Sequence, residues 1–155
     1  MPNYSYSIGK NLDPDRTAKA SVRNINVSRK ALREVCRAIK GMKIDQAKDY
    51  LKEVIEKKRS VPYRRHKTGV GHKSDLQGWA QGRYPVKTCK EMLKLVDNLE
   101  NNAEANQLQV DKCKIIHAAA LQGMKIRGIF PRAQGRSTPK IKQLMHAELV
   151  AEVME

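Results

Sequence analysis

Between Lys112 and Lys142 the chain carries eight Lys/Arg residues and no Asp or Glu. Two strand-like arms flank a turn studded with Gly and Pro. The first arm runs from Cys113 to Phe130 and the turn from Pro131 to Pro139. The chain then returns through Ile141, Leu144, His146, Leu149 and Val153. Fully extended, the 18 residues of the first arm would reach roughly 60 Å at about 3.3 Å each. Ordinary strands have about 5–6 residues. A chain of 155 residues has too little mass to cover such an arm. A protruding, uniformly basic hairpin calls for a polyanion to lie against, and nucleic acid fits best.

The whole chain shares that bias. Thirty-one Lys/Arg against sixteen Asp/Glu leave a formal charge of +15 and a sequence pI of about 9.9. Such an excess favours phosphate backbones, whose counterions are released when Lys and Arg take their place. A membrane surface would also attract it, but the sequence holds no run of 18 apolar residues and no signal-peptide pattern. The expected location is the cytoplasm, with no membrane partner.

Charge is also unevenly spread. Residues 57–73 hold seven basic and no acidic residues, whereas 89–111 hold two basic and five acidic ones. Residues 143–155 hold three acids and no Lys or Arg. The helix over 89–106 and the C-terminal tail are therefore expected on the solvent side, away from the partner.

Periodicity divides the rest. Ala20, Val22, Ile25 and Val27 alternate loosely and predict a short strand over 18–27. Ser28 is placed to cap a helix whose apolar stripe is Ala31, Leu32, Val35, Cys36 and Ile39, closed by Gly41. Its other face carries Arg29, Lys30, Arg33, Arg37 and Lys40. A second helix is expected from Asp45 to Lys57 on Ala47, Leu51, Val54 and Ile55. A third follows Tyr84, with Pro85 at its first position and Val86, Cys89, Leu93, Val96 and Leu99 inward. Between them, residues 59–83 form a long basic loop bearing Tyr63 and Trp79. Cations mixed with planar rings suit RNA. Trp79 alone has two open readings, a stacking platform or a residue packed on the core.

Catalysis and metals find little support. Gly69-Val70-Gly71-His72-Lys73-Ser74 lacks the Gly directly before Lys, the early Gly and the preceding buried strand of a phosphate-binding P-loop. Cys36, Cys89 and Cys113 are odd in number and widely spaced, which argues against disulfides and zinc. Cys36 and Cys89 fall on apolar helix faces, where free Cys acts as a small hydrophobe. His66, His72, His117 and His146 show no metal-ligand spacing, although His117 and His146 are placed to be cross-strand neighbours. Asp97, Glu100 and Glu104 read as a solvated helix face. No nucleophile with a base beside it stands out. The expectation is no enzyme, no cofactor, no metal and no small-molecule substrate.

The tip Phe130-Pro131-Arg132-Ala133-Gln134-Gly135-Arg136, in a basic hairpin behind three helices, resembles the family of large-subunit ribosomal protein twenty-two, whose eukaryotic counterpart is numbered seventeen. Val61-Pro62-Tyr63-Arg64-Arg65 and Gly78-Trp79-Ala80-Gln81-Gly82-Arg83-Tyr84-Pro85 resemble an insertion of its archaeal and eukaryotic branch. Asn101-Asn102-Ala103-Glu104-Ala105-Asn106 is similar to that family's Ala/Asn-rich helix end. The resemblance implies a structural component of the large ribosomal subunit, partnered by rRNA and neighbouring ribosomal proteins. It further implies a hairpin tip that lines the peptide exit tunnel and meets the nascent polypeptide.

The fold expected is α+β, with three helices packed on a small antiparallel sheet and a long protruding β-hairpin, in a single domain over 1–155. Its globular core would span about 8–111 and 143–155, its insertion loop 59–83 and its hairpin 112–142. Expected rRNA contacts are Arg23, Lys30, Arg33, Arg59, Arg64, Arg65, His66, Lys67, Lys73, Trp79, Arg83, Lys125, Arg127 and Lys140. The tunnel-lining tip would be Arg132, Ala133, Gln134, Gly135 and Arg136. The competing reading is a free-standing architectural or chaperone protein that binds nucleic acid through a basic β-ribbon.

Overall fold

The computed structural model describes residues 6–8 and 12–154. The loosely alternating stretch forms strand β1 (Thr17–Ile25), with Ala18 and Ala20 buried on one face. Helix α1 (Arg29–Ile39) follows and buries the expected stripe. Ser28 occupies the cap position, but its exposed side chain makes no capping bond, and only its carbonyl is used, by the Leu32 N–H at 2.9 Å. Gly41 ends the helix at φ +90° and donates its N–H to the Ile115 carbonyl at 2.8 Å. One left-handed residue thus both stops α1 and ties its end to a strand far along the chain.

Helix α2 (Ile44–Ile55) buries Ile44, Ala47, Tyr50, Leu51 and Val54. Helix α3 (Val86–Ala105) begins just after Pro85 and buries Cys89, Met92, Leu95, Val96, Leu99 and Ala103. Leu93, placed inward by the sequence pattern, is half-buried, and Met92 and Leu95 take its place in the core. Between α2 and α3 the insertion closes on itself as a small ribbon of β2 (Val61–Pro62) and β3 (Gly82–Arg83). Gly82 sits where a Cβ would come within 2.7 Å of Leu76 and 2.9 Å of Ser60 Oγ, so a larger residue there would have to displace both side chains.

The long arms are β4 (Cys113–Pro131) and β5 (Ser137–Val153), and the main sheet is antiparallel in the order β1-β5-β4. The tail expected on the solvent side is therefore the middle strand. Met145, Ala147, Leu149 and Ala151 alternate onto the buried core face, while Glu148 and Glu152 fall on the other. A count of acids could not see that alternation. The two hairpin histidines are not neighbours either. His117 pairs with Val150 and His146 with Leu121, because the turn lies at Gln134 and Gly135, and the register also shifts at 115/117 and again at 122/125. Gly123 lies in the second irregularity, where a Cβ would meet the His146 ring at 2.8 Å.

Both edges of the sheet are covered near the core. Asn102 and Asn106, four residues apart on α3, donate their side-chain amides to the Lys19 and Thr17 carbonyls at 2.8 and 3.4 Å. That is a physical use for the asparagine-rich helix end, since bare edge carbonyls invite foreign strands. On the far edge, the turn between α1 and α2 bonds Ile115 on both sides, through Gly41 and the Met42 carbonyl.

Only part of the hairpin stands clear. The lower half of β4 is an edge of the core sheet, whereas every residue from 124 to 142 is exposed. The eight residues 124–131 project about 26 Å at about 3.3 Å each. Pairing continues to Pro131 and Ser137. The turn is made by Gln134 and Gly135, with φ 57° and 67°, and closed by the Arg132 N–H on the Arg136 carbonyl at 2.8 Å.

Candidate nucleic-acid interface

The anchor of the insertion is a residue that the basic character of α1 conceals. Glu34 is 1% exposed. Its Oε1 accepts the Arg65 and His66 N–H groups at 2.9 Å each, and its Oε2 accepts the Arg64 N–H at 3.2 Å. A buried carboxylate must be satisfied, and here the satisfaction comes from backbone. The side chains of Arg64 and Arg65 are consequently exposed and have no carboxylate partner among the described residues. The sequence did carry a sign of this, because Glu34 lies three residues after Ala31 and directly before Val35, in the apolar phase of the helix.

A second acid does similar work. Asp75 accepts from the Ser60 N–H and, at 3.0 Å, from its hydroxyl. Burial alone would raise its pKa, but the two Ser60 bonds prevail and hold the carboxyl below its ordinary range. Trp79 donates its indole N–H to the Tyr63 carbonyl at 3.2 Å, with the Arg64 guanidinium 5.9 Å from its ring. Half-buried, it belongs to the loop's own structure and leaves part of its ring at the surface. Arg83 donates to the Gly69 carbonyl at 2.8 Å and lies 6.0 Å from the Tyr63 ring. Lys73 lies 4.9 Å from the Tyr84 ring. These contacts leave each cation its full charge.

Ion pairs between described residues gather elsewhere. Lys48 of α2 meets Glu100 and, at 3.2 Å, Asp97 of α3, so two acids expected on a solvated face hold two helices together. The rest are Lys52–Asp49, Lys58–Glu56, Arg59–Glu53 and Lys94–Glu91, all on α2, α3 or the segment just after α2. Of the expected contacts, Arg59 has a carboxylate of this kind beside it, and it also lies 4.9 Å from the Tyr50 ring. Among the described residues no such pair involves Lys30 and Arg33 of α1, Arg64, Arg65, Lys67, Lys73 and Arg83 of the insertion, or Lys125, Arg127, Arg132, Arg136 and Lys140 of the hairpin.

The fold brings many of these together. Lys30, Arg65, His66 and Arg83 line one hollow where α1 meets the insertion. Arg59 and Arg64 line a larger cleft of about 750 Å³ with Arg37, a cation of the basic face of α1 that was not among the expected contacts. Arg23 lies apart, near the hairpin root beside Met124 and His146. On the hairpin, directly opposed residues share a face. Lys125 and Arg127 oppose Gln143 and Ile141 on one face, while Lys140 and Lys142 oppose Gly128 and Ile126 on the other. The arm is cationic on both sides, and Lys140 lies 4.5 Å from the Phe130 ring.

The family model described as "Ribosomal protein L22p/L17e" matches residues 20–152, from β1 through the insertion and the hairpin to β5. This chain belongs to that family. Relatives agree along the full length. The large ribosomal subunit protein uL22 of Thermofilum pendens is 52% identical over 155 residues, covering 100% of both chains. The uL22 protein of Methanocella arvoryzae is 49% identical over 89% of this chain and 90% of its own. That of Cenarchaeum symbiosum is 48% identical over 97% and 98%. The branch resemblance drawn from the Gly-Trp insertion agrees with these archaeal members of the L22p/L17e family.

Proposed function

We propose that this chain is a structural, non-enzymatic component of the cytoplasmic large ribosomal subunit, where it binds rRNA beside neighbouring ribosomal proteins. The observation that carries the rRNA reading is the separation of paired from unpaired cations. Carboxylates neutralise Lys48, Lys52, Lys58, Arg59 and Lys94 on and beside α2 and α3. Among the described residues, Lys30 and Arg33 of α1, Arg64, Arg65, Lys67, Lys73 and Arg83 of the insertion and the cations on both faces of the hairpin have no such partner. Such a surface repels itself unless a polyanion covers it. Cations on both faces of an exposed arm suit an arm enclosed by RNA rather than one lying on it.

The tip Arg132, Ala133, Gln134, Gly135 and Arg136 lines the peptide exit tunnel and meets the nascent chain. This finer part rests on the family resemblance of residues 130–136, supported by their exposure at the far end of the arm. Sucrose-gradient sedimentation after a wash of moderate salt tests the proposal. The chain should travel with the large subunit. Recovery near the top of the gradient would favour a free-standing nucleic-acid binder instead.

A further inference from the structure

Four parts of the chain meet at the root of the hairpin. They are the link from β1 to α1, the end of the insertion, the first turn of α3 and the return arm, and together they line a cleft of about 770 Å³. Small-ligand sites commonly fall between about 300 and 1,000 Å³. The lining is chemically one-sided. No Asp or Glu contributes, whereas Arg83, Lys87 and Lys142 arrive from three different elements.

Rings and apolar groups stand beside the cations. Tyr84 is half-buried on the lining, and Val27 and Pro85 complete a wall wide enough for a flat group. Arg83 is held in place by its bond to the Gly69 carbonyl. Helix α3 starts here with no side-chain cap and no acid in its first turn, so its leading N–H groups also favour negative charge. Gln143 lines the same cleft, and its amide nitrogen is the buried side-chain nitrogen that finds no acceptor among the described residues. A cleft that combines fixed cations, a spare amide and an aromatic wall suits a phosphate with a planar base attached.

We infer that this cleft takes one unpaired nucleotide of a single-stranded RNA segment, its phosphate against Arg83, Lys87 and Lys142 and its base against the Tyr84 ring. The inference rests on the rRNA-binding reading and deepens it. Because Lys142 belongs to the hairpin and Lys87 to α3, an occupied cleft ties the root of the arm to the core and sets the arm's direction.

Ser28 provides the test. It is exposed, makes no capping bond with its side chain and lines both this cleft and the adjoining hollow of Lys30 and Arg65, so Ser28→Phe fills space without removing charge or a cap. Lys142 lines this cleft and not that hollow, so Lys142→Ala separates the two. Binding of the full chain to large-subunit rRNA is measured over a series of salt concentrations. The variant should bind about tenfold more weakly, and its log–log salt slope should be shallower by roughly 0.7, the single-strand value for one lost phosphate, although no charge was changed. Lys142→Ala should shift the slope alike. Wild-type affinity and slope in Ser28→Phe would overturn the inference and leave the rRNA reading standing. Wild-type protein with no salt-dependent rRNA binding would sink both.

A second measurement stands without any variant. Adenosine monophosphate, adenosine and inorganic phosphate are titrated separately into the wild-type protein, with the Lys87 and Thr88 amides and the Tyr84 ring followed by NMR. The nucleotide should shift these signals at lower concentration than either of its parts. Equal shifts from inorganic phosphate would reduce the cleft to a bare phosphate site, and no shift from any of the three would remove it.

Discussion

Glu34 joins helix to loop through three backbone donors, and it does so from inside the core. Replacing it with Ala leaves those N–H groups without their charged acceptor. We expect Glu34→Ala to destabilise the protein by about 2–4 kcal/mol, within the range for losing charged hydrogen bonds and stranding their donors. Amide exchange at residues 64–66 should rise far more than exchange in α3. His117 makes a different kind of contact, with Nε2 2.9 Å from Ser7 Oγ and Ser7 also bonded to Glu148 at 3.1 Å. Burial pushes the imidazole pKa below its ordinary 6.5; Glu148 opposes that shift and Lys40 adds to it. A lowered pKa in the folded state means that His117 contributes stability above pH 6.5, and that this is lost as pH falls through the lower folded value. His117→Gln should flatten the stability profile just below pH 6.5, and the wild-type imidazole should titrate by NMR with a midpoint under 6.5. Neither contact was readable from the sequence. The phase of Glu34 marks it as buried, but the donors that satisfy it lie 30–32 residues away, and Ser7 lies 110 residues from His117.

At the scale of elements, the hairpin divides into a docked base and a projecting end. The base is fixed by β5 and by the turn after α1, and none of those contacts involves residues 130–138. Removing 130–138 and joining the arms by a short turn should therefore leave the unfolding free energy within about 0.5 kcal/mol of wild type, the usual range for surface changes. Incorporation into the large subunit should be largely intact, while ribosome profiling should show altered pausing on some nascent chains. Failure of the shortened protein to enter the subunit would make the tip an assembly anchor. The hairpin, its Gly- and Pro-bearing turn and all three helices were legible, because periods of 2 and 3.6 and a few Gly and Pro positions carry that information. The centre of the sheet was not legible. Strand β5 looked like an acidic tail because Glu148 and Glu152 dominate its charge, whereas its alternation decides its place. Register was equally hidden, since two irregularities in β4 displace every later pair.

The whole molecule is organised as two electrical sides on one core. Among the described residues, Lys48, Lys52, Lys58, Arg59 and Lys94 on and beside α2 and α3 pair with carboxylates, whereas Lys30 and Arg33 of α1, Arg64, Arg65, Lys67, Lys73 and Arg83 of the insertion and the cations of the projecting hairpin do not. That separation predicts rRNA affinity falling steeply with salt, at roughly 0.7–0.9 log units per log unit of salt for each phosphate neutralised. Replacing Arg64, Arg65 and Lys67 together with Ala should make the slope shallower without unfolding the insertion, because Glu34 and Asp75 hold the loop by backbone and by Ser60 rather than through those side chains. A slope equal to wild type would mean that the insertion faces away from RNA. Charge composition made the basic partner surface legible from the start. Which cations are paired was not legible, since Lys48 finds Asp97 and Glu100 about fifty residues on, through packing alone.

Strand β5 also imposes an order in time. Thr17 pairs with Glu152 and Ala20 with Leu149, so the earliest strand to be synthesised waits for the latest one before it has any neighbour in the sheet. Helices and the basic insertion emerge first, with apolar faces that nothing yet covers. A chain halted before residue 143 would carry every Lys and Arg but no closed sheet, and it could stick to RNA without being folded. Completion of the last strand is thus a checkpoint written into the topology, separating the moment when the chain can attract RNA from the moment when it can hold its shape against it.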